Sequence, residues 1–228
     1  MNDRIWWRLA ATSGILYVAL GVAHSSGGGG IGFGDSRETI AGWVGSTLGA
    51  RGVNWIGVYS GILGLLCLVV FSAILAAAIR HRVGPQTWLS SLTFGAGLLA
   101  VAVKLTSLPA AFALAYRAHE GFEPQLAAAL TDMNDFSFVL TWPLFALMIG
   151  TAAIGILRYA SLPAWLGWSG VAAAVALFAA LPLAFGPGAF IAFITSSVWI
   201  VLASATMIVR PTPAAQPALP REAALAAS

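Results

Sequence analysis

Long apolar stretches, separated by short groups of polar and charged residues, dominate the pattern of this 228-residue chain. A transmembrane helix needs about 20 predominantly apolar residues. Six stretches reach that length, at positions 6–24, 55–79, 88–116, 136–157, 164–185 and 189–209. The pattern therefore predicts an all-α, polytopic membrane bundle of six transmembrane helices, in a single domain over residues 1–210. The Pro- and Ala-rich segment 211–228 is expected to be a disordered tail.

Two of the connecting segments predict further helical structure. After a glycine-rich run, Asp35 and Glu38 have the spacing of a capping box, and Ile40 and Trp43 follow at helical spacing. We expect a short helix there, lying in the membrane interface. Pro124 has the position of a first helical residue, and its helix is expected to continue without a break into the fourth apolar stretch.

Composition supports a multi-pass protein of the cell membrane, with the lipid bilayer as its partner. Charged residues make up 8% of the chain and hydrophobic residues 59%, whereas soluble domains carry about 25% charged residues. Nucleic-acid binding is excluded, because the basic residues are scattered over helix ends and form no basic face. The single cysteine, Cys67, excludes disulfides and cysteine-ligated metal sites. The three histidines lack the spacing of a helical metal or haem site, so we expect no metal and no cofactor.

Basic residues are distributed unevenly between the two sets of connections. If the N-terminus lies inside, seven fall on the cytoplasmic side and three outside. The seven are Arg4, Arg8, Arg80, Arg82, Arg158, Arg210 and Arg221, and the three are Arg37, Arg51 and Arg117. Because cytoplasmic loops are enriched in Lys and Arg, both termini are predicted to be cytoplasmic.

Lys104 lies inside the third apolar stretch, about sixteen residues from its cytoplasmic start. At 1.5 Å per residue it would lie roughly 24 Å from that face, in the outer half of the hydrocarbon core. A charge at that depth costs several kcal/mol unless it is paired, hydrated or neutral. Small and polar residues share its helix face, so we expect Lys104 to point into the bundle and to find a polar partner on the fourth or sixth stretch. A structural ion pair or snorkelling, and a contact with substrate or a catalytic carboxylate, both stay open.

Asp132 and Asp135 are the second candidate for chemistry. Residues three apart share one face of a helix. Two carboxylates near a low-dielectric boundary do not both ionise readily, so one is expected to keep its proton at neutral pH. The alternative is an acidic helix start in outer water that stabilises the helix dipole. Glu120 and Glu123 are expected to be solvated.

Polar and aromatic residues of the apolar stretches outline a cavity that opens to the outer leaflet. The expected substrate-binding residues are Asn54, Tyr59, Asn134, Phe138, Trp142 and Trp199. The aromatic members suit a hydrophobic small molecule.

The stretch 161–168, Ser-Leu-Pro-Ala-Trp-Leu-Gly-Trp, resembles a pattern found in uncharacterised small six-helix integral membrane proteins of actinobacteria, and segments 6–22, 58–79 and 132–138 share that likeness. A looser resemblance, in size, aromatic content and acids at the mouth of the bundle, is to bacterial membrane-bound terpene cyclases. Residues 132–135 are also similar to the Asp-x-Asp-Asp acid motif of soluble proton-initiated cyclases. They depart from it at Asn134, which replaces the proton-donating Asp, and the fold differs.

Three functions stay open. The leading one is a membrane enzyme for an isoprenoid-like substrate, a terpene cyclase-like isomerase or lyase with Asp132, Asp135 and Lys104 as catalytic residues. One acid would protonate an alkene, and aromatic faces would stabilise the carbocation. The second is a small-solute transporter or permease that uses a Lys/Asp pair within the membrane. The third is an accessory or assembly subunit whose polar residues only pack helices. The oligomeric state is left open.

Overall fold

The computed structural model describes residues 3–25, 35–48, 55–83, 88–121, 123–184, 186 and 188–210. Most of these residues are helical, and they contain no strand. The helices are α1 (Asp3–Ser25), α2 (Arg37–Trp43), α3 (Trp55–Val83), α4 (Trp88–Leu105), α5 (Leu108–Arg117), α6 (Pro124–Tyr159), α7 (Ala164–Ala180) and α8 (Gly188–Val209). A π-helical turn, Val44–Leu48, follows α2, and 3₁₀ turns, Ala118–Glu120 and Leu181–Leu183, follow α5 and α7.

Six helical segments of the described chain are long and apolar enough to cross a membrane. They are Ile5–Ala23, Trp55–His81, Trp88–Glu120, Pro124–Tyr159, Ala164–Leu183 and Phe190–Val209. The predicted all-α class is thereby confirmed, and so is the prediction of six helices long and apolar enough to span a membrane. The unbroken helix from Pro124 is also confirmed, since α6 runs through the whole fourth span. The cytoplasmic termini and the interfacial position of α2 stay predictions, and the segment 211–228 lies outside the described residues.

The spanning helices pack side by side in a ring. Its order is α1, α3, α4, α6, α7, α8 and back to α1, and α6 also contacts α3. The Trp7 indole donates a hydrogen bond to the carbonyl of Met207 at 3.2 Å and its ring lies against His81, with centroids 6.1 Å apart. The start of α1 and the ends of α3 and α8 therefore lie at one end of the ring, which we call the Trp7 end. The opposite end, where α4 reaches Lys104, is called the Lys104 end.

Glycines allow the helices to approach closely. A Cβ atom at Gly97 of α4 would collide with the side chain of Ser72 on α3 and would lie 3.0 Å from Met148 Sδ on α6. A Cβ atom at Gly170 of α7 would lie 2.8 Å from Trp199 Nε1. Close backbone approach matters in lipid, where van der Waals contacts rather than the hydrophobic effect drive helices together.

A second, smaller apolar cluster lies at the Lys104 end. In it, Ile40 and Val44 pack against Leu114, Ala118 and Ala127. The α2 segment therefore lies against α5 and the first turns of α6.

The N-terminus of α2 differs from the predicted capping box. Ser36 is the N-cap, and its Oγ accepts a hydrogen bond from the Thr39 amide at 3.1 Å. The predicted capping box, formed by Asp35 and Glu38, was therefore wrong by one residue. Ser36 has the extended backbone that an N-cap needs, and its short hydroxyl side chain reaches the third helical amide.

The third span is interrupted at 106–107, between α4 and α5. Pro109 has no N–H to donate to the carbonyl four residues earlier. The amide and the Oγ of Ser107 both donate to the carbonyl of Lys104, at 3.2 and 2.8 Å. The stretch 88–116 therefore crosses as two helices. Pro143, by contrast, lies inside α6 without ending it.

Candidate functional site

Lys104 points into the bundle from the last turn of α4. Its Nζ donates to Asn134 Oδ1 at 2.9 Å, to the Asn134 carbonyl at 3.3 Å and to Ser137 Oγ at 3.2 Å. Both partners belong to α6, so the predicted polar partner on the fourth span is confirmed. An ammonium group carries three N–H donors, and the protein provides an acceptor for each of them.

Asn134 connects this cation to an acid. Its Oδ1 accepts from Lys104, and its Nδ2 donates to Asp135 Oδ1 at 3.1 Å. Chemistry fixes this orientation of the amide, because a flipped group would turn its donors toward an ammonium and its acceptor toward a carboxylate. The direct ion pairs in the described part of the chain involve Glu120, with Arg117 and His119. Lys104 and Asp135 are thus joined through a neutral amide.

Two serines complete this arrangement. Ser137 Oγ donates to the carbonyl of Asn134 at 2.6 Å, and Ser107 Oγ lies 3.5 Å from Asn134 Oδ1. Ser107 belongs to the break in the third span, so this break brings a hydroxyl to α6. We call Lys104, Ser107, Asn134, Asp135 and Ser137 the polar cluster. Its hydrogen bonds offset the cost of placing a charge in a transmembrane segment.

Asp132 does not join the polar cluster. It lies three residues before Asp135 on α6 and near enough to repel the charge of that carboxylate. No described residue hydrogen-bonds to its partly buried side chain. The structure therefore connects one of the two predicted acids to Lys104 and leaves the other beside it.

An aromatic group, defined here as Tyr17, Phe138, Trp142 and Phe145, lies nearer the centre of the bundle. Phe138 packs edge-on against Trp142, with ring centroids 5.7 Å apart and planes at 85°. Tyr17 of α1 reaches Phe145 of α6, with ring centroids 6.3 Å apart. Because α1 and α6 are not neighbours in the ring, this contact crosses its centre. The aromatic group therefore occupies the interior.

The spacing along α6 relates the acid to the aromatic group. Asp135, Phe138 and Trp142 occupy positions i, i+3 and i+7, which share one helix face. Phe138 is partly exposed, whereas Trp142 is 1% exposed and its Nε1 has no hydrogen-bond partner in the described structure. A carboxylate, two aromatic rings and an unused donor thus follow one another inward along α6.

Two of the expected substrate-binding residues, Tyr59 and Trp199, lie away from this place. Tyr59 is 61% exposed on the outside of the bundle, beside Trp55, as interfacial aromatics commonly are. Asn54 lies outside the described residues.

Trp199 is buried near the Trp7 end, where its Nε1 donates to the carbonyl of Leu166 at 3.1 Å. Gly170 lies next to Trp199, and a Cβ atom added to it would also touch Ala153 of α6. Ala153 follows Ser137 by sixteen residues, or about 24 Å of helix at 1.5 Å per residue. Trp199 therefore packs helices at a distance from the polar cluster.

Phe145 and Tyr17 belong to the aromatic group without being among the expected substrate-binding residues, and for Tyr17 the sequence did contain a signal. A tyrosine in the middle of an apolar stretch was the available signal, since its hydroxyl favours the bundle interior or a membrane interface over the hydrocarbon core. The described residues contain no group of three or more His, Cys, Asp or Glu side chains placed to bind a metal ion.

The chain matches no protein-family model, no curated protein sequence and no solved structure. Inferences about its function therefore depend on the geometry of the polar cluster and the aromatic group.

Proposed function

We propose that this protein is a membrane-embedded enzyme that takes an isoprenoid-like substrate into its helix bundle and cyclises it by acid chemistry. The observation that carries the proposal is the alignment on α6 of Asp135 with Phe138 and Trp142. A proton donor next to a group of buried aromatic rings is what a proton-initiated cyclisation requires. The resemblance to membrane-bound terpene cyclases points to the same chemistry.

The reaction balances without a cofactor. In its protonated form, the Asp135 carboxyl group gives its proton to an alkene carbon, so that an O–H bond breaks, a C–H bond forms and a carbocation results. A second alkene of the same substrate attacks the cation and closes a ring, while the faces of Phe138 and Trp142 stabilise the positive charge. A neighbouring carbon then returns a proton to the carboxylate. The product is an isomer of the substrate.

Lys104 acts in this proposal as a positioning residue. Its three donors are already engaged by Asn134 and Ser137, and an ammonium beside a carbocation would repel it. Through Asn134 it fixes the orientation of Asp135. Asp132 has no such partner, so the two carboxylates differ and can be tested separately.

The decisive experiment supplies the purified protein in lipid vesicles with linear isoprenoids and prenylated aromatic compounds, and examines products by mass spectrometry. Asp135→Asn and Asp132→Asn each keep the side-chain shape and remove the acid. Loss of a general acid typically costs about 10² to 10⁴ in rate, so we expect one of these variants to lose cyclisation by that factor.

Glu120→Gln is the matched control, because Glu120 is exposed and pairs with Arg117 at the surface. It should retain activity. Cyclised products that persist in both aspartate variants would overturn the assignment of the acid. Absence of conversion of any isoprenoid by the unaltered protein would overturn the enzyme itself.

A second candidate, a small-solute transporter, is favoured by the break in the third span. Transporters commonly form their sites at interrupted helices near the bilayer midplane, and here the interruption follows Lys104 directly. Flux of a small solute into vesicles, abolished by Lys104→Met, would support it. If the vesicles show neither conversion nor flux, the accessory-subunit function is the one of the three candidates that remains.

A further inference from the structure

Trp142 differs from the other buried tryptophans of the described chain. Three tryptophans there are buried, at 9% exposure for Trp7, 1% for Trp142 and 2% for Trp199. The indole of Trp7 donates to the Met207 carbonyl and that of Trp199 to the Leu166 carbonyl. Among the described residues, nothing accepts a hydrogen bond from Trp142 Nε1. The bundle therefore provides acceptors for buried indoles elsewhere and leaves this one without.

The polar groups that precede Trp142 on α6 already have hydrogen-bond partners of their own. The Asn134 Oδ1 and carbonyl oxygens and Ser137 Oγ accept from Lys104. Thr141 Oγ1 donates back to the Phe138 carbonyl at 2.6 Å. In the described structure the Phe138 ring contacts Trp142, and three residues further along α6 the Phe145 ring contacts Tyr17 of α1. A buried donor without a partner costs free energy, which a ligand can recover.

We infer that Trp142 is a specificity-determining residue, whose indole N–H binds a neutral oxygen acceptor carried by the hydrophobic ligand. The indole can only donate, so the ligand must supply an acceptor such as a carbonyl, ether or epoxide oxygen. An ionised acceptor is disfavoured, because the surrounding rings offer no charge to pair with it. The rings suit an apolar, planar or prenyl-like body.

This inference depends on the proposed function for one point only, that a ligand enters the bundle. Phe138 gives a route for such a ligand, because it packs edge-on over Trp142 and is itself partly exposed. The ligand would enter beside Phe138 and place its oxygen against Nε1. Trp142 follows Asp135 by seven residues, about 10 Å along the helix axis. The acceptor oxygen and the atom nearest Asp135 would therefore be different parts of one extended molecule.

The test measures binding rather than turnover. The protein is placed in lipid nanodiscs and titrated with decylbenzoquinone, which carries carbonyl acceptors, or with decylbenzene, which has the same chain and lacks them. Affinity is obtained from the rise of the thermal unfolding midpoint, followed by circular dichroism. We expect the quinone to bind about tenfold more tightly, the factor given by one net hydrogen bond of about 1.4 kcal/mol.

Trp142→Phe keeps an aromatic ring and removes the N–H, so the two ligands should bind this variant equally. Trp199→Phe is the matched control, and it should keep the tenfold preference. Without ligand, Trp142→Phe breaks no hydrogen bond of the described structure but leaves a small cavity, so it should unfold cooperatively at a somewhat lower temperature than the unaltered protein, which verifies that it folds.

Three results would overturn the inference: equal binding of both ligands by the unaltered protein, binding of neither, or a preference that persists in Trp142→Phe. A preference lost in Trp142→Phe, together with no conversion of any isoprenoid, would retain the acceptor site and remove the proposed enzyme. Conversion of an isoprenoid without a preference for the quinone would retain the proposed enzyme and remove the acceptor site.

Discussion

At the scale of single residues, Asn134 determines the character of the polar cluster. An amide presents both an acceptor and donors, so it can stand between an ammonium and a carboxylate and satisfy both. An Asp at this position would place a further carboxylate beside Asp132 and Asp135 and would leave no amide donor for Asp135. Asn134 Oδ1 is also the closest of the acceptors of Lys104, at 2.9 Å.

The link through Asn134 predicts energetic coupling between Lys104 and Asp135. Lys104→Met should lower the free energy of unfolding by about 1 to 3 kcal/mol, because it leaves partly buried acceptors without a donor. Asp135→Asn should lower it less. The double variant should lose less than the sum of both, with a coupling of at least ~0.5 kcal/mol. Thermal and denaturant unfolding in nanodiscs measures all three values.

The control for this cycle repeats it in an Asn134→Leu background. Because leucine cannot bridge the two charges, most of the coupling should disappear there. Additive effects in the presence of Asn134 would contradict the linked arrangement.

Burial alone made the orientation of Lys104 predictable, since a cation at that depth needs partners. The identity of its partner could not be predicted. Successive residues of a helix are rotated by about 100°, so Asn134 and Asp135 point to different neighbours. Choosing between them requires the rotation of α6 within the bundle. Nothing in an apolar stretch of this kind reports that rotation.

At the scale of secondary-structure elements, close contacts between helices carry the packing around the polar cluster. Gly97 lies on the α4 face that meets Ser72 and Met148, two turns from Lys104. Gly95 lies on the same helix with no atom within 4 Å of its Cβ position. In the sequence, Gly95 and Gly97 belong to the same apolar stretch, and the stretch does not tell them apart. The six spans were predictable from length and hydrophobicity, whereas the roles of individual glycines depend on which face is covered.

These two glycines predict opposite effects of the same substitution. Gly97→Ala should lower the free energy of unfolding by about 1 to 3 kcal/mol, because overpacking forces α3 or α6 to shift. Gly95→Ala should be neutral or stabilising, since alanine is the better helix former by about 1 kcal/mol. Unfolding of both variants in nanodiscs, with circular dichroism as the probe, checks the pair. Equal effects would contradict the packing of α4 against α3 and α6.

At the scale of the whole molecule, the two apolar clusters divide the bundle into two regions. The larger one extends from Trp7 and Met207 at the Trp7 end to Trp142 and Phe145 in the interior, and the smaller one joins α2 to α5 and the start of α6. The polar cluster lies where the third span breaks, between these regions. The order of helices in the ring could not be predicted, because each span is apolar on every side. Contacts between small residues and single hydrogen bonds, rather than an amphipathic pattern, determine which helices are neighbours.

The last prediction concerns the orientation of this ring in the membrane. Arg117 and Arg158 are exposed and lie at the Lys104 end and the Trp7 end, respectively. The excess of basic residues at the Trp7 end predicts that this end is cytoplasmic. In a Cys67→Ala background, Arg117→Cys should react with a membrane-impermeant maleimide in intact cells. Arg158→Cys should react only after permeabilisation.

Reaction of both positions in intact cells would contradict the six-span topology, because the fourth span, α6, lies between the two residues and has to place them on opposite sides of the membrane. A reversed pattern would retain the fold and place the Lys104 end in the cytoplasm. The polar cluster would then face the cytoplasmic leaflet, and a ligand that enters beside Phe138 would come from that side. The labelling pattern therefore determines the leaflet in which a substrate for this bundle should be sought.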